Sequence, residues 1–359
     1  MRRNVVVVTL VPHARPTTTS SVLAASVAAH RGASGHRPEH TLEAYRHALA
    51  LGADAIEVDV VSTADGVLVA RHESELSATT DVARRAELAH LRSERVVAGR
   101  RVQGWFVEDL TLEQVRLLRA RERWPLQRPA SGAYDGLLAV PTLDEVLGLV
   151  AESARSHGRE VGVLVELKDV ALSAARGLDP TEPLLDDLRR HDLDRPGSPA
   201  TVMGFEPTGL VSLAGRTRVP LVQLVDDLRA RPADLAAAGD PRTFADLVSP
   251  SGLAAVASYA TGLGPRHSLL ARDLGDRVVP TGLLDRAHRH GLQVRTWTLR
   301  AEDRFLPRPY RGHDRTGHGD LRGYAALLLD LGVDGLITDH PEVCRAARDD
   351  RPADLPAPA

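Results

Sequence analysis

Ala53-Asp54-Ala55-Ile56-Glu57-Val58-Asp59-Val60-Val61 alternates apolar and acidic residues at the period of a β-strand. Successive strand side chains point to opposite faces, so Ile56, Val58 and Val60 share one face while Glu57 and Asp59 share the other. Two carboxylates directed together into a protein repel each other and lose their hydration, and such a strand calls for something cationic opposite it. A hard divalent ion is the simplest answer, since Mg²⁺ and Ca²⁺ take oxygen ligands. Taken alone, the stretch equally allows a polar face that meets solvent or arginines.

A second stretch of the same design lies downstream. In Val161-Gly-Val-Leu-Val-Glu-Leu-Lys168, Val161, Val163, Val165 and Leu167 fall on one face, and Glu166 and Lys168 end the other. Before the first stretch, Leu23 to Ala29 reads as a short buried strand running into His30-Arg31-Gly32. Thr41 then opens a helix with Leu42, Tyr45 and Leu49 on one side, stopped by Gly52. After it, Asp65-Gly66 marks a tight turn into Val67 to His72, a hairpin that delivers His72 beside the acidic strand. Residues 201–205, 221–225, 254–259, 293–298 and 335–339 are further short strands separated by helical patterns, among them a helix from the capping box Thr142-Leu-Asp-Glu145 and one over 283–290. Eight parallel strands alternating with helices predict a (β/α)₈ TIM barrel, with an insertion after the strand 2 hairpin, and place the active site at the strand C-termini.

The expected layout is an N-terminal extension over 1–24, a barrel domain over 25–348 with its insertion at about 73–135, and a disordered tail over 349–359. The insertion carries charges of both signs, which reads as a solvated surface. The loop from Ala301 to Leu321 follows a strand C-terminus, where a lid would stand. Seven apolar residues over 5–11 are too few to span a bilayer, which argues against stable membrane insertion, and they make a weak signal segment.

At 359 residues the chain exceeds the usual domain, but barrels with insertions reach this length as one unit. A net charge of −3 argues against a nucleic-acid or membrane-surface binder. The single cysteine, Cys344, excludes an intrachain disulfide and a cysteine-rich zinc site. Lys168 is the only lysine among 45 basic residues, which suggests that arginine cannot replace it there. Lysine is a compact point charge and arginine a wide planar fork, so a crowded place beside a metal or phosphate accepts only the former.

His30, Arg31, Glu57, Asp59, His72, Glu166 and Lys168 all fall at or just past strand C-termini, positions that converge in a barrel. Three carboxylates can hold one Ca²⁺ or Mg²⁺, whereas Zn²⁺ would draw more histidine or cysteine. Arg31 and Lys168 suit an anionic phosphoryl group. Two histidines complete an acid/base pair, since imidazole titrates near neutral pH. Individually each has a plainer reading: any one of fifteen histidines belongs more often to core or surface, Glu166 with Lys168 makes a structural ion pair, and Trp297 fills a barrel. Their joint placement is what those readings explain badly.

His30-Arg-Gly32, Pro38-Glu-His-Thr41, Gly52 to Asp59, Thr63 to Val69 with His72, Glu166-Leu-Lys168, Trp297-Thr298 and Leu331 to Asp339 together resemble the glycerophosphodiester phosphodiesterases, in family order from Ala29 to about Arg348. The chain looks most like the longer, insertion-containing subgroup, which is often exported and calcium-dependent. The resemblance implies that Glu57, Asp59 and Glu166 bind one divalent cation, Ca²⁺ favoured over Mg²⁺. His30 and His72 would be the acid/base pair; Arg31 and Lys168 would hold the phosphate, with Glu39 as a support and Trp297 at the substrate. It further implies a small-molecule glycerophosphodiester substrate, attack by a glycerol hydroxyl, a cyclic phosphate, and release of sn-glycerol 3-phosphate and an alcohol. Location outside the cell or in its envelope is slightly favoured on the same ground. His40 stands where the family often has Asn, and Glu73 where Asp is common. The alternatives are a phospholipase D-type enzyme on lysolipids or sphingolipids, and a barrel that binds phosphodiesters without turnover. With 3% aromatic residues there is little from which to build an acyl-chain rim, and no catalytic group is missing.

Overall fold

The computed structural model describes residues 25–97, 100–312, 314 and 317–351. Nine strands make its main sheet: β1 (Ser26–Ala29), β2 (Ala55–Ser62), β3 (Leu68–Ala70), β4 (Gly162–Leu167), β5 (Ala200–Gly204), β6 (Leu221–Val225), β7 (Gly262–Pro265), β8 (Gln293–Leu299) and β9 (Gly335–Thr338). All but β3 run parallel, in the order β1, β2, β4 to β9, and β9 pairs back to β1, so the sheet closes into a barrel. β3 lies antiparallel on the end of β2, with Val60 opposite Ala70. Among the described residues no helix is long and apolar enough to cross a membrane.

Two apolar layers fix which way each strand faces. Ile56, Val58 and Val60 pack outward with Val163, Val165 and Leu167 against the surrounding helices. Each such buried aliphatic contributes roughly 1.5–3 kcal/mol, and a slip of one residue would turn them all inward. The inner face holds a small plug of Ala28, Ala55, Leu164, Met203, Val222, Leu224 and Ile337. Ala55 has the parity of Glu57 and Asp59, and Leu164 that of Glu166. The outward aliphatics therefore force these acids into the barrel, above the plug.

One expected strand is corrected. Residues 254–259 do not form a strand: Pro250–Val256 is a helix capped by Ser249, whose hydroxyl accepts from Gly252 N–H, and the sixth parallel strand is β7. The apolar run Leu253 to Val256 packs as a helical stripe. β7 itself is Gly-Leu-Gly-Pro, with no aliphatic alternation to announce it. Its glycines answer to packing, since a Cβ on Gly264 would collide with Leu224 inside the barrel. The first strand begins at Ser26, and the extension over 1–24 lies outside the described residues. The last helix runs from Pro341 to Asp349, and Arg351 pairs with Asp330 at 2.9 Å, so the chain is still packed where a tail was expected to start; 352–359 lie outside the description.

Between β3 and the helix Leu143–His157, the chain makes a small apolar cluster of its own. Leu76, Val82, Leu88, Trp105, Val107, Leu110, Val115 and Leu118 pack on Val61 and Val69 of the hairpin. Thr111 caps a single helical turn there, Leu112–Val115. This segment returns across the top of the barrel and carries Arg123 and Arg128 with it.

Candidate active site

Register brings the acids together. Asp59 of β2 and Glu166 of β4 are direct cross-strand partners, and Glu57 lies two residues before Asp59 on the same face. Carboxylate oxygens of all three lie within 4.8 Å of one another, and all three residues are buried. Ala29 of β1 pairs with Ile56 on one side and Thr338 on the other, which sets His30 between Glu57 and Asp339.

The loop after β1 is bent to serve the same point. Arg31 takes a left-handed backbone at φ 59°, and its N–H donates to Glu57 Oε2 at 2.7 Å. Non-glycine residues there cost about 1–3 kcal/mol, a strain held by surrounding contacts. Gly32, at φ 84°, lies so near the helix Leu42–Ala50 that a Cβ would sit 2.6 Å from the Ala44 carbonyl carbon. The Arg31 side chain donates to Glu39 at 3.0 Å and pairs with Asp59 at 3.2 Å. Glu39 also accepts two bonds from Arg123 at 2.7 Å, so it braces Arg31 from behind.

Lys168 reaches Asp59 Oδ1 at 3.0 Å and also pairs with Glu166 Oε1. Neither oxygen accepts a well-directed hydrogen bond among the described residues. Burial, with Asp59 and Glu166 adjacent, pushes the Glu57 carboxyl well above its usual range. Burial raises Glu166 to about 8 against the pull of Lys168. For Asp59, Lys168 and the His40 bond outweigh burial and hold the carboxyl well below its usual range. Three buried carboxylates with two ammonium or guanidinium groups at their edge remain short of positive charge. An all-oxygen donor set this close together fits a hard divalent cation.

The two histidines are held differently. His30 Nδ1–H donates to Asp339 Oδ1 at 2.7 Å, leaving Nε2 unprotonated and 3.4 Å from Thr298 Oγ1. Burial and Arg31 lower its pKa to about 3, although Asp339 opposes them. His72, delivered by β3, donates Nδ1–H to Glu73 at 2.6 Å. Burial, Lys168 and Arg31 lower it to about 4. Both rings are therefore neutral at pH 7, with one basic nitrogen apiece.

His30, Arg31, Glu57, His72, Glu166, Lys168 and Trp297 all line one cavity of about 340 Å³ at the strand C-termini. Asp59 sits just beneath it, and Glu39 stands one layer behind. Trp297 also holds the barrel, donating Nε1–H to Gly264 O at 2.7 Å. Sequence reasoning gave no role to Asp339, His40, Arg123, Arg128 or Arg300. Asp339 ends β9 as His30 ends β1, so the strand-end rule could have found it. His40 Nε2–H donates to Asp59 Oδ2 at 2.9 Å and its Nδ1 accepts from Tyr45 at 2.8 Å, which orients the carboxylate. Arg128 and Arg300 both donate to Asp339 Oδ2, at 2.6 and 3.0 Å.

Residues 30–343 match the Glycerophosphoryl diester phosphodiesterase family, which covers most of the chain. The chain belongs to that family. It is 31% identical over 324 residues to glycerophosphodiester phosphodiesterase GDPD6 of Arabidopsis thaliana, covering 87% of this chain and 82% of the relative. A glycerophosphodiester phosphodiesterase of Haemophilus influenzae is 26% identical over 337 residues, with 88% and 87% covered. The fold is shared with a crystal structure from Silicibacter pomeroyi at TM-score 0.64 and 24% identity, covering 92% of this chain and 95% of that one. An Oleispira antarctica phosphodiesterase, solved with its product sn-glycerol-3-phosphate, aligns at TM-score 0.60 and 20% identity over 91% and 98%. As a glycerophosphoryl diester phosphodiesterase, the protein is an enzyme that hydrolyses phosphoric diesters.

Proposed function

We propose that the enzyme cleaves glycerophosphodiesters to sn-glycerol 3-phosphate and an alcohol, with one divalent cation held by Glu57, Asp59 and Glu166 and with His30 and His72 as its acid/base pair. The observation that carries this reading is the Asp59–Glu166 register pair, which puts three acids together in a cavity with a neutral imidazole from β1 and another from the β3 hairpin. When bound, Ca²⁺ or Mg²⁺ would neutralise the acids and polarise the phosphoryl oxygens. Ca²⁺ is the favoured ion.

Arg31 and Lys168 offer fixed positive charge to the phosphate oxygens, and water leaves as the substrate enters. One imidazole takes the proton of the glycerol 2-hydroxyl as its oxygen bonds to phosphorus. The other, protonated once the anionic phosphate binds beside it, gives that proton to the departing alkoxide as its P–O bond breaks. A cyclic glycerol phosphate results. Water then opens the ring with the two histidines in exchanged roles, forming one P–O bond to water and breaking the P–O bond to the 2-oxygen. Asp339 and Glu73 support the imidazolium forms, each accepting from an Nδ1–H. The product complex of the Oleispira relative agrees with sn-glycerol 3-phosphate as the product here.

Hydrolysis of glycerophosphocholine by chelated protein, with Ca²⁺ or Mg²⁺ returned, tests the proposal. Turnover restored by either ion supports it. Turnover that persists in chelator, or that neither ion restores, sinks it.

A further inference from the structure

We infer that Glu302, His318 and His340 form a second cation site, distinct from the carboxylate trio and suited to a borderline transition-metal dication such as Zn²⁺. One donor atom from each residue lies within 4.8 Å of the other two. The three come together for backbone reasons. Glu302 and His318 are antiparallel bridge partners across the loop after β8, and His340 follows β9 and precedes the last helix. The His318 and His340 rings meet edge to face at 5.3 Å between centroids.

Two observations point to a ligand. Glu302 is 2% exposed, and its Oε1 is taken by Arg128 Nε, but its buried Oε2 has no hydrogen-bond partner among the described residues. A buried carboxylate oxygen left bare is costly, and a second cation on it removes the cost. His340 is 2% exposed, and its Nδ1 accepts only a long 3.4 Å bond from Ala301 N–H. That ring is neutral, as burial lowers it to about 4, and the neutral imidazole is the form that binds metals. The ring is locked in place, because a Cβ on Gly35 would collide with it.

The donor set chooses the ion. Two imidazoles and one carboxylate suit Zn²⁺ and its neighbours, whereas Ca²⁺ and Mg²⁺ want more oxygens. Three protein ligands leave a fourth position to water, as in open zinc sites. Metal–ligand bonds of about 2.0–2.2 Å require donor separations near 3.3–3.5 Å, and the three donors already lie within 4.8 Å of one another. His318 is exposed on its loop, so its ring is the member free to adjust. Arg128 joins the two centres, since the guanidinium that holds Glu302 also holds Asp339, the partner of His30.

The test is a binding measurement and does not depend on the catalytic reading. Full-length protein is stripped with chelator, saturated with Ca²⁺ to occupy the carboxylate trio, and titrated with Zn²⁺ by calorimetry. His318→Ala removes an exposed ring, and Glu302→Gln removes the charge while keeping the size. Wild type is expected to take up one Zn²⁺, and each variant to bind it at least ~10-fold more weakly with Ca²⁺ binding unchanged. Co²⁺ in place of Zn²⁺ is expected to give a visible absorption band that His318→Ala loses. Zn²⁺ isotherms identical in wild type and both variants, or no Zn²⁺ uptake by wild type, would overturn the inference.

Discussion

Glu57, Asp59 and Glu166 stand on paired barrel strands, whereas Glu302, His318 and His340 are gathered from a long loop and a strand-to-helix junction. The first cluster is all oxygen and lies over the barrel plug; the second mixes nitrogen with oxygen and has one exposed member. Strand register holds backbone positions to fractions of an ångström, so a crowd of like charges can be enforced there against their repulsion. A loop enforces less, and its cluster carries a single carboxylate. The contrast teaches that the all-oxygen cluster is a product of sheet geometry and the mixed one a product of loop closure.

Breaking the strand cluster has the largest expected effect. Asp59→Asn should cut glycerophosphodiester turnover by about 10⁴-fold, the several kcal/mol that a bound ion supplies, and should weaken Ca²⁺ binding while sparing Zn²⁺ uptake. Parallel loss of both ions would show one coupled site instead of two. Next, His72→Ala should lose about 10³-fold in kcat, the middle of the range for a general acid or base, with Ca²⁺ affinity intact by calorimetry. A variant that retains rate but loses Ca²⁺ would move His72 from proton transfer to ion binding. Lys168→Arg should cost about 10²-fold, since a wide fork must enter the space between Asp59 and Glu166. Wild-type rates in that variant would make the single lysine a coincidence.

The smallest effect lies away from both clusters. His267 accepts or donates at Nδ1 with Tyr324 at 2.8 Å, and burial, with Arg266 and Arg300 near, lowers it to about 4. Its unfolded value is near 6.5, so below that pH the unfolded chain binds a proton that the folded one refuses. The stability this group provides is complete above pH 6.5 and is lost as pH falls toward 4, with a slope of at most about 1.4 kcal/mol per unit. Thermal melts across that window should show a shallower decline in His267→Gln, and equal slopes would refute the assignment.

Much of the strand cluster was legible because alternation and burial give the same answer. Val58 must face the helices, so Glu57 and Asp59 must face the barrel. β7 was not legible, because Gly262 and Gly264 are chosen by what they avoid and leave no apolar signal. Arg123 and Arg128 were hidden for another reason: an arginine-rich surface segment and one that folds back over an active site have the same composition. Glu302 and His318 are sixteen residues apart with no periodic pattern, and only the closed loop makes them neighbours.

The lone lysine has a practical side. Apart from the chain's α-amino group, the amine of Lys168 is the single aliphatic amine this sequence contributes, and it stands at the cavity wall with its side chain 12% exposed. Acylating or aldehyde reagents, which on most proteins scatter over a dozen surface amines, have here one side-chain address. Because Asp59 and Glu166 hold it as the ammonium, this amine should react slowly, and a rise in its labelling would report the loss of that carboxylate pairing.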